Sequence, residues 1–232
     1  MQEIKNNIIA ISRDISDICI KKGKAPDSIT IIAVTKTVDP DRMNYAIKCG
    51  IRNIGENKVQ EIMAKYEKIE ENVNWHLIGH LQTNKVKYII DKVALIHSVD
   101  SIGLAEEISK RAEKAGLVKD VLVQVNVAQE ETKFGIEYDD TDSFVERLSG
   151  FSGIRVKGLM TIAPYYDDAE LARPVFRQLK EKFDMLAAAG IPNINMKYLS
   201  MGMTNDYKVA IEEGSNMVRI GTGIFGARNY DL

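Results

Sequence analysis

The chain has 232 residues, of which 45% are hydrophobic and 28% are charged, and its formal net charge is −2. This length and apolar content are enough to bury a full core within a single domain. The small net charge provides no chain-wide attraction to nucleic acid or to an anionic membrane surface. We therefore expect neither of them as a partner.

Redox and targeting signals indicate a cytoplasmic protein. Cys19 and Cys49 show no CxxC or metal-ligand spacing, and they are typical of small apolar core residues in a reducing compartment. No apolar run approaches the roughly 18–20 residues of a membrane-spanning helix. Charged residues interrupt the first 14 positions, where a signal peptide would need an apolar segment. We expect a cytoplasmic, monomeric protein.

Helical and extended patterns alternate along the whole chain. Residues 3–22 carry isoleucines at helical spacing, which predicts an amphipathic helix. Further helices are predicted near 101–115, after a capping Asp100 or Ser101, near 172–189 and near 204–213. Eight strands are predicted, near residues 29–35, 51–54, 74–78, 94–98, 119–126, 154–159, 196–199 and 216–220.

This alternation predicts a parallel α/β architecture, and we favour a closed (β/α)8 TIM barrel. No GxGxxG motif follows the first strand, as it would in an open, doubly wound dinucleotide-binding sheet. Two polar, glycine-bearing turns follow strands seven and eight, where barrels commonly bind phosphate. Residues 1–232 are therefore predicted to form a single barrel domain, with an extra N-terminal helix packed outside.

Lys36 and the two turns carry the strongest chemical signal. Lys36 follows the first strand, whose C-terminal end opens onto the active face of a barrel. Partial burial there disfavours the ammonium form and makes the amine a usable nucleophile. The turns 199–205 and 218–223 offer hydroxyls, Arg219 and glycine amides, which suit a phosphate. Together they suggest a phosphorylated aldehyde held as a Schiff base, and pyridoxal 5′-phosphate (PLP) is the obvious candidate.

Each of these residues also has a simpler interpretation. A lysine at a strand end is commonly a solvated charge, and Ser200 and Thr204 could cap the helix near 204–213. Arg219 is harder to explain as a structural residue. It alternates with apolar neighbours in a buried strand, so we predict that it points into the barrel lumen, where an unpaired guanidinium is costly. A bound anion or heterocycle would satisfy it.

The three histidines indicate neither a metal site nor a catalyst. His76 and His80 are four residues apart in a predicted strand, and a separation of about 13 Å is too long for one shared metal ion. His97 ends the fourth strand. We predict that all three are hydrogen-bonding residues of the core or rim.

Eight short motifs occur along the chain in this order: AVTK (33–36), GENKVQE (55–61), WHLIGHLQTNK (75–85), HSVDS (97–101), KFG (133–135), GLMT (158–161), LSMGM (199–203) and RIGTGIFG (219–226). Each alone is weak, but together they are highly specific. The chain resembles the pyridoxal phosphate homeostasis protein family (YggS/PROSC type) over essentially its whole length. Thr204 stands where many members have serine.

The resemblance implies a fold similar to the barrel domain of alanine racemase. It also implies that PLP is held on the first-strand lysine, without established catalytic turnover, so that free PLP is kept low and apoenzymes are supplied. On this chain, Lys36 would form the Schiff base and Arg219 would face the pyridine nitrogen. The implied phosphate cradle consists of Ser200, Gly202, Gly221 and Thr222, and the implied ring pocket is lined by Asn57, Ser98 and Met160.

Two enzyme functions stay open as alternatives. A PLP-dependent racemase or lyase needs an acid or base opposite Lys36, a role that His80 or a tyrosine could serve. A charged arginine at the ring nitrogen weakens the carbanion sink. Alanine racemase is similar in having one, but it adds a catalytic tyrosine from a second domain, which we do not expect here. A Schiff-base aldolase needs its lysine near the barrel mouth, whereas Lys157 lies toward the start of strand six.

Overall fold

The computed structural model describes residues 1–130 and 134–227, so Lys133 of the KFG motif lies outside the described residues. Helices α1 to α8 span Gln2–Lys21, Pro40–Lys48, Val59–Lys65, Ile102–Lys114, Thr141–Leu148, Arg173–Ala188, Tyr207–Glu212 and Thr222–Phe225. Strands β1 to β9 span Thr30–Val34, Asn53–Glu56, Asn74–Leu77, Leu95–Val99, Lys119–Asn126, Ile136–Glu137, Ile154–Met160, Ile194–Met203 and Met217–Ile220.

Eight parallel strands close into a barrel in the order β1, β2, β3, β4, β5, β7, β8 and β9, and β9 pairs back onto β1. The short β6 pairs with the end of β5. A 3-10 helix, Thr83–Tyr88, connects β3 to β4. Helix α1 packs against α2, α7 and α8 through its predicted isoleucine stripe. The predicted TIM barrel with an additional N-terminal helix is confirmed.

The lumen and the outer layer of the barrel contain different side chains. One apolar cluster contains Ile32, Leu95, Leu122, Met160 and Met217. These residues come from strands that are not all neighbours, so they can meet only inside the barrel. Most of the remaining apolar core lies between the strands and the helices. Because side chains alternate along a strand, this arrangement fixes which residues face the lumen.

Strand β8 is longer than predicted. It continues through Met203, so part of the segment predicted as a polar turn is strand. Gly202 has a φ of 92°, and a Cβ there would lie 2.6 Å from the Cβ of Ala210 in α7. A glycine is therefore required where the strand bends past this helix. Helix α7 begins after Asp206, so neither Ser200 nor Thr204 is its capping residue.

No helix within the described residues is both long and apolar enough to span a membrane.

Candidate functional site

A cavity of about 230 Å³ at the C-terminal mouth of the barrel brings together three of the predicted site residues. Lys36 lines it from the connection between β1 and α2, and Gly221 and Thr222 line it from the connection between β9 and α8. Because β1 and β9 are hydrogen-bonded neighbours, their C-terminal ends place these connections side by side. Lys36, which is half-buried, thus lines the same space as a polar turn.

Two hydroxyls and a backbone amide converge at the turns after β8 and β9. Thr222 Oγ1 donates a hydrogen bond to Thr204 Oγ1 at 3.3 Å, and Gly223 N donates to the same oxygen at 3.2 Å. Thr204 is the acceptor in both, so neither bond uses its own hydroxyl proton. A Cβ on Gly223 would lie 3.1 Å from Thr204 Cγ2. This donor set suits a phosphate, and Thr204 is the member that the sequence-based site did not include.

Ser200 and Gly202, predicted for the phosphate cradle, lie elsewhere. Ser200 is fully buried, and its hydroxyl contacts the side chains of Arg219 and His97 inside the barrel. Gly202 is packed against α7. The polar edge of the cavity is formed by Gly221 and Thr222 of the turn that follows β9, whereas Ser200 belongs to the lumen.

The residues predicted to line a ring pocket occupy the ends of β2, β4 and β7. Ser98 Oγ donates to the carbonyl oxygen of Gly79 at 2.7 Å. A Cβ on Gly79 would lie 2.4 Å from the carbonyl oxygen of Asn57, so Asn57 and Ser98 both contact this glycine. Met160 is fully buried in the lumen cluster. Asn57 and Ser98 thus form one rim segment, and Met160 lies below it.

Arg219 points into the lumen, as predicted, and only 3% of it is exposed. Its Nη1 donates to Ser200 Oγ at 2.6 Å and its Nη2 donates to the carbonyl oxygen of Thr161 at 2.8 Å. Burial lowers the pKa of Arg219 to about 10, against the opposing effect of Asp206. The guanidinium therefore keeps its charge at neutral pH.

The backbone on both sides of Lys36 is held by an ionic cluster of Glu56, Glu61 and Lys65, which we call the rim clamp. Lys65 Nζ donates to Glu56 Oε1, to Glu61 Oε2 and to the carbonyl oxygen of Thr35, each at 2.9 Å. Glu56 Oε1 also accepts from Thr35 Oγ1 at 2.7 Å, and Glu61 Oε2 accepts from Thr37 N at 2.8 Å. The clamp thus fixes the residues before and after the lysine.

The two carboxylates of the rim clamp differ in their protonation. Burial raises the pKa of Glu56 to about 7, despite its contacts with Lys65 and Thr35. Its Oε2 is buried without a hydrogen-bond partner among the described residues. Burial also opposes ionisation of Glu61, but hydrogen bonds from Lys65 and Thr37 outweigh it and its pKa lies below the usual value. Glu61 is therefore the ionised partner of Lys65, whereas Glu56 holds a proton up to neutral pH.

Two of the three histidines, His76 and His97, form hydrogen bonds in the core, as predicted. His76 and His97 are buried in the lumen and contact each other. His80 lies at the rim, where Nδ1 is 3.6 Å from Asp100 Oδ2 and the ring stacks on Phe134 at a centroid distance of 4.0 Å. Lys157, considered for an aldolase, lies within β7 before its C-terminal end at Met160.

Comparison with known proteins identifies the family. The model of the alanine racemase N-terminal domain matches residues 21–229. The chain is 46% identical over 213 residues to the pyridoxal phosphate homeostasis protein of Aquifex aeolicus, with 91% of this chain and 92% of that protein covered. PipY of Synechococcus elongatus, solved with PLP bound, has 30% identity and a TM-score of 0.83, over 96% of this chain and 100% of PipY.

Alanine racemase of Clostridium difficile shares the fold at 17% identity and a TM-score of 0.73, with 100% of this chain and 58% of the racemase covered. That likeness concerns the barrel, whereas the curated relative and PipY match nearly end to end. The chain belongs to the pyridoxal phosphate homeostasis protein family.

Proposed function

We propose that this protein binds PLP as a Schiff base on Lys36, acts in PLP homeostasis in the cytoplasm, and supplies the cofactor to apoenzymes. The observation that supports this most strongly is the shared cavity of Lys36, Gly221 and Thr222. PipY, which matches this chain over 96% of its length, has been solved with PLP bound.

The residues present fit such a ligand. Thr204, Thr222 and the Gly223 amide offer donors for a phosphate, and a Cβ on Gly223 would crowd Thr204. Arg219 offers a buried cation for the pyridine nitrogen. PLP supplies an aldehyde that condenses with the Lys36 amine and releases water. We assign the cradle to Thr204, Gly221, Thr222 and Gly223, and the ring pocket to Asn57, Ser98 and Met160.

Several features favour a carrier over an enzyme. A charged Arg219 disfavours protonation of the ring nitrogen, which a strong carbanion sink requires. His80, the histidine considered as an acid or base, contacts Asp100 and stacks on Phe134. The curated relatives that match nearly end to end are named for homeostasis. We therefore propose binding and release of PLP without turnover of amino acids.

Borohydride trapping tests the covalent step. Reduction of the PLP-loaded protein should fix the cofactor on the peptide that contains Lys36, as determined by mass mapping. Lys36→Ala should fold and lose the label, because a rim lysine contributes little packing. Lys157→Ala is the matched control and should be labelled like the wild type. A label on Lys157 or Lys85 would overturn the assignment.

Comparison of PLP with pyridoxal tests the cradle. Charge-assisted hydrogen bonds contribute roughly 1.5–3 kcal/mol each, so pyridoxal should bind more weakly by orders of magnitude. Thr204→Val and Thr222→Val should each weaken PLP binding about tenfold or more and leave pyridoxal binding nearly unchanged. Equal affinities for the two ligands would place the phosphate elsewhere.

Isotope exchange and transfer assays test the carrier role. The PLP-loaded protein, incubated with single-enantiomer amino acids in deuterated water, should give neither rapid α-deuteration nor the opposite enantiomer. In parallel it should restore activity to a PLP-dependent apoenzyme. Exchange at several turnovers per second, abolished by Lys36→Ala, would indicate an enzyme. Failure to restore the apoenzyme would remove delivery from the proposal and leave binding intact.

A further inference from the structure

Four lumen side chains form a continuous chain of hydrogen bonds with Asn53 at its far end. Arg219 Nη1 is 2.6 Å from Ser200 Oγ, which is 3.1 Å from His97 Nδ1. His97 Nε2 is 3.0 Å from His76 Nδ1, and His76 Nε2 is 3.1 Å from Asn53 Oδ1. We call this chain the lumen relay. It crosses the barrel interior, because its Ser200–His97 bond joins β8 to β4.

The positions of the protons along the lumen relay follow from its end. Asn53 Oδ1 also accepts from Asn74 Nδ2 at 3.1 Å, so it is the acceptor for His76 Nε2–H. A neutral imidazole has one donor and one acceptor. His76 Nδ1 is therefore the acceptor for His97 Nε2–H. By the same argument, His97 Nδ1 accepts the proton of Ser200.

Because the proton of Ser200 is donated to His97, its oxygen can act only as an acceptor toward Arg219. The serine thus cannot turn its proton toward the guanidinium or toward a phosphate without breaking its bond to His97. His97 and Ser200 are fully buried, and His76 is 4% exposed, so each lost bond would leave a desolvated polar atom. Burial keeps both imidazoles neutral, because it lowers the pKa of His76 to about 4 and that of His97 well below its usual value.

We propose that Ser200, His97 and His76 are positioning residues that hold the Arg219 guanidinium in one orientation toward the cofactor ring. Each group of the relay donates to the next one, from Arg219 to Asn53, so every donor along it has one acceptor. Together with the Thr161 carbonyl, it fixes two of the guanidinium nitrogens. This inference rests on the proposed binding of PLP, and it gives Ser200 a role separate from the phosphate.

Nitrogen-15 NMR of the histidine rings tests the direction of the relay in the protein without cofactor. The chain has three histidines, and a His80→Gln spectrum identifies the ring at the rim. His76 and His97 should both be neutral Nε2–H tautomers at pH 7. An Nδ1–H tautomer or an imidazolium at either position would overturn the relay as drawn.

Binding measurements test the positioning role. Ser200→Ala and His97→Phe should each weaken PLP binding about tenfold and shift the absorption of the bound cofactor. The double variant should be no weaker than either single variant, because both break the same chain. Ser215→Ala is the matched control, since Ser215 is equally buried but bonds only to the backbone carbonyls of Leu199, Met201 and Met217. It should lower stability without changing affinity or absorption.

The two arms separate the inference from the function on which it rests. Additive losses, or an unchanged absorption spectrum in Ser200→Ala, would overturn the positioning role even if wild-type protein binds PLP normally. A wild type that takes up no PLP would instead overturn the proposed function, while the NMR spectrum would still decide the direction of the relay. If His97→Phe does not fold, Ser200→Ala and the NMR spectrum decide the matter.

Discussion

The two cations of the candidate site are supported in opposite ways. The segment that carries Lys36 is held by the rim clamp, in which Lys65 lies between two carboxylates. Arg219 is held by the lumen relay, in which the supporting histidines and serine are neutral. Charge pairing is strong but costly to bury, whereas neutral dipoles orient a cation without neutralising it. The rim clamp therefore fixes the backbone around Lys36, whereas the lumen relay orients Arg219 and leaves its charge unneutralised.

The two regions also differ in their response to pH. Glu56 holds its proton more tightly in the folded chain than its ordinary pKa predicts, and His76 holds its proton less tightly. Proton linkage converts these opposite shifts into opposite slopes of unfolding free energy against pH. A substitution in either region can therefore be recognised by the sign of the change in the slope of unfolding free energy against pH.

Removal of the clamp cation should have the largest effect. Lys65→Met leaves Glu56 and Glu61 without a cation, and the Thr35 carbonyl keeps only its backbone bond from Val38 N. Breaking a buried pair in this way typically costs about 3–5 kcal/mol, so the urea midpoint at pH 8 should fall strongly. Lys48→Met is the control, because Lys48 forms an exposed pair with Glu70, and it should leave the midpoint unchanged. Equal midpoints for the two variants would show that the clamp contributes no stability.

Glu56→Gln should remove a contribution that lowers the unfolding free energy as the pH rises. The folded protein keeps a proton on Glu56 up to about pH 7, whereas the unfolded chain releases it near the ordinary value of 4.5. The folded state therefore binds more protons between these values, and its unfolding free energy falls as pH rises through them. The expected loss is about 3 kcal/mol. Between pH 4.5 and 8 the unfolding free energy of the variant, measured in urea, should therefore rise by this amount relative to that of the wild type, and a constant difference between the two would contradict the raised pKa.

His76→Gln should remove a contribution of the opposite sign, which acts over nearly the same pH range. Here the unfolded chain gains a proton near 6.5, while the folded chain stays neutral down to about pH 4. Stability is therefore fully present above pH 6.5 and is lost as the pH falls toward 4, again by about 3 kcal/mol or less for this one ring. Each variant is the control for the other, because Glu56→Gln should keep the rising contribution of His76 and His76→Gln should keep the falling contribution of Glu56.

The sequence predicted the barrel and the direction of Arg219 because both follow from alternation. Apolar strands at regular spacing specify a parallel α/β fold, and a charged residue between Val218 and Ile220 in a buried strand faces away from them. The rim clamp is different. Glu61 and Lys65 are four residues apart on α3 and could be paired from their spacing, but the contact of Lys65 with Glu56 depends on how α3 returns over β2.

The position of Ser200 shows where the alternation of side chains along a strand stops predicting their direction. The pairing of β8 with β9 shifts register between Ser200 and Met203, and Gly202 adopts a positive φ within that interval. A bulge of this kind re-aims the side chains that follow it. Thr204, four residues after Ser200, therefore reaches the turn after β9. The sequence signal for this is Thr204 itself, a hydroxyl residue within the predicted turn 199–205.

The last and smallest effect concerns backbone strain at Thr37, which lies on the rim beside Lys36. Thr37 has a φ of 64°, a region that costs a β-branched residue roughly 1–2 kcal/mol. Its amide donates to Glu61 and its hydroxyl to the Lys36 carbonyl, so the clamp holds the chain in this conformation beside Lys36.

Thr37→Gly and Thr37→Ala both remove the hydroxyl, but only glycine relieves the strain. Glycine should therefore give the more stable protein by about 1 kcal/mol in urea unfolding, the reverse of its usual order with alanine. Borohydride labelling of Lys36 should nevertheless be slower in Thr37→Gly, because a relaxed backbone samples orientations that the strained threonine excludes. Equal stability of the two variants would mean that the clamp holds Lys36 without strain, as the relay holds Arg219.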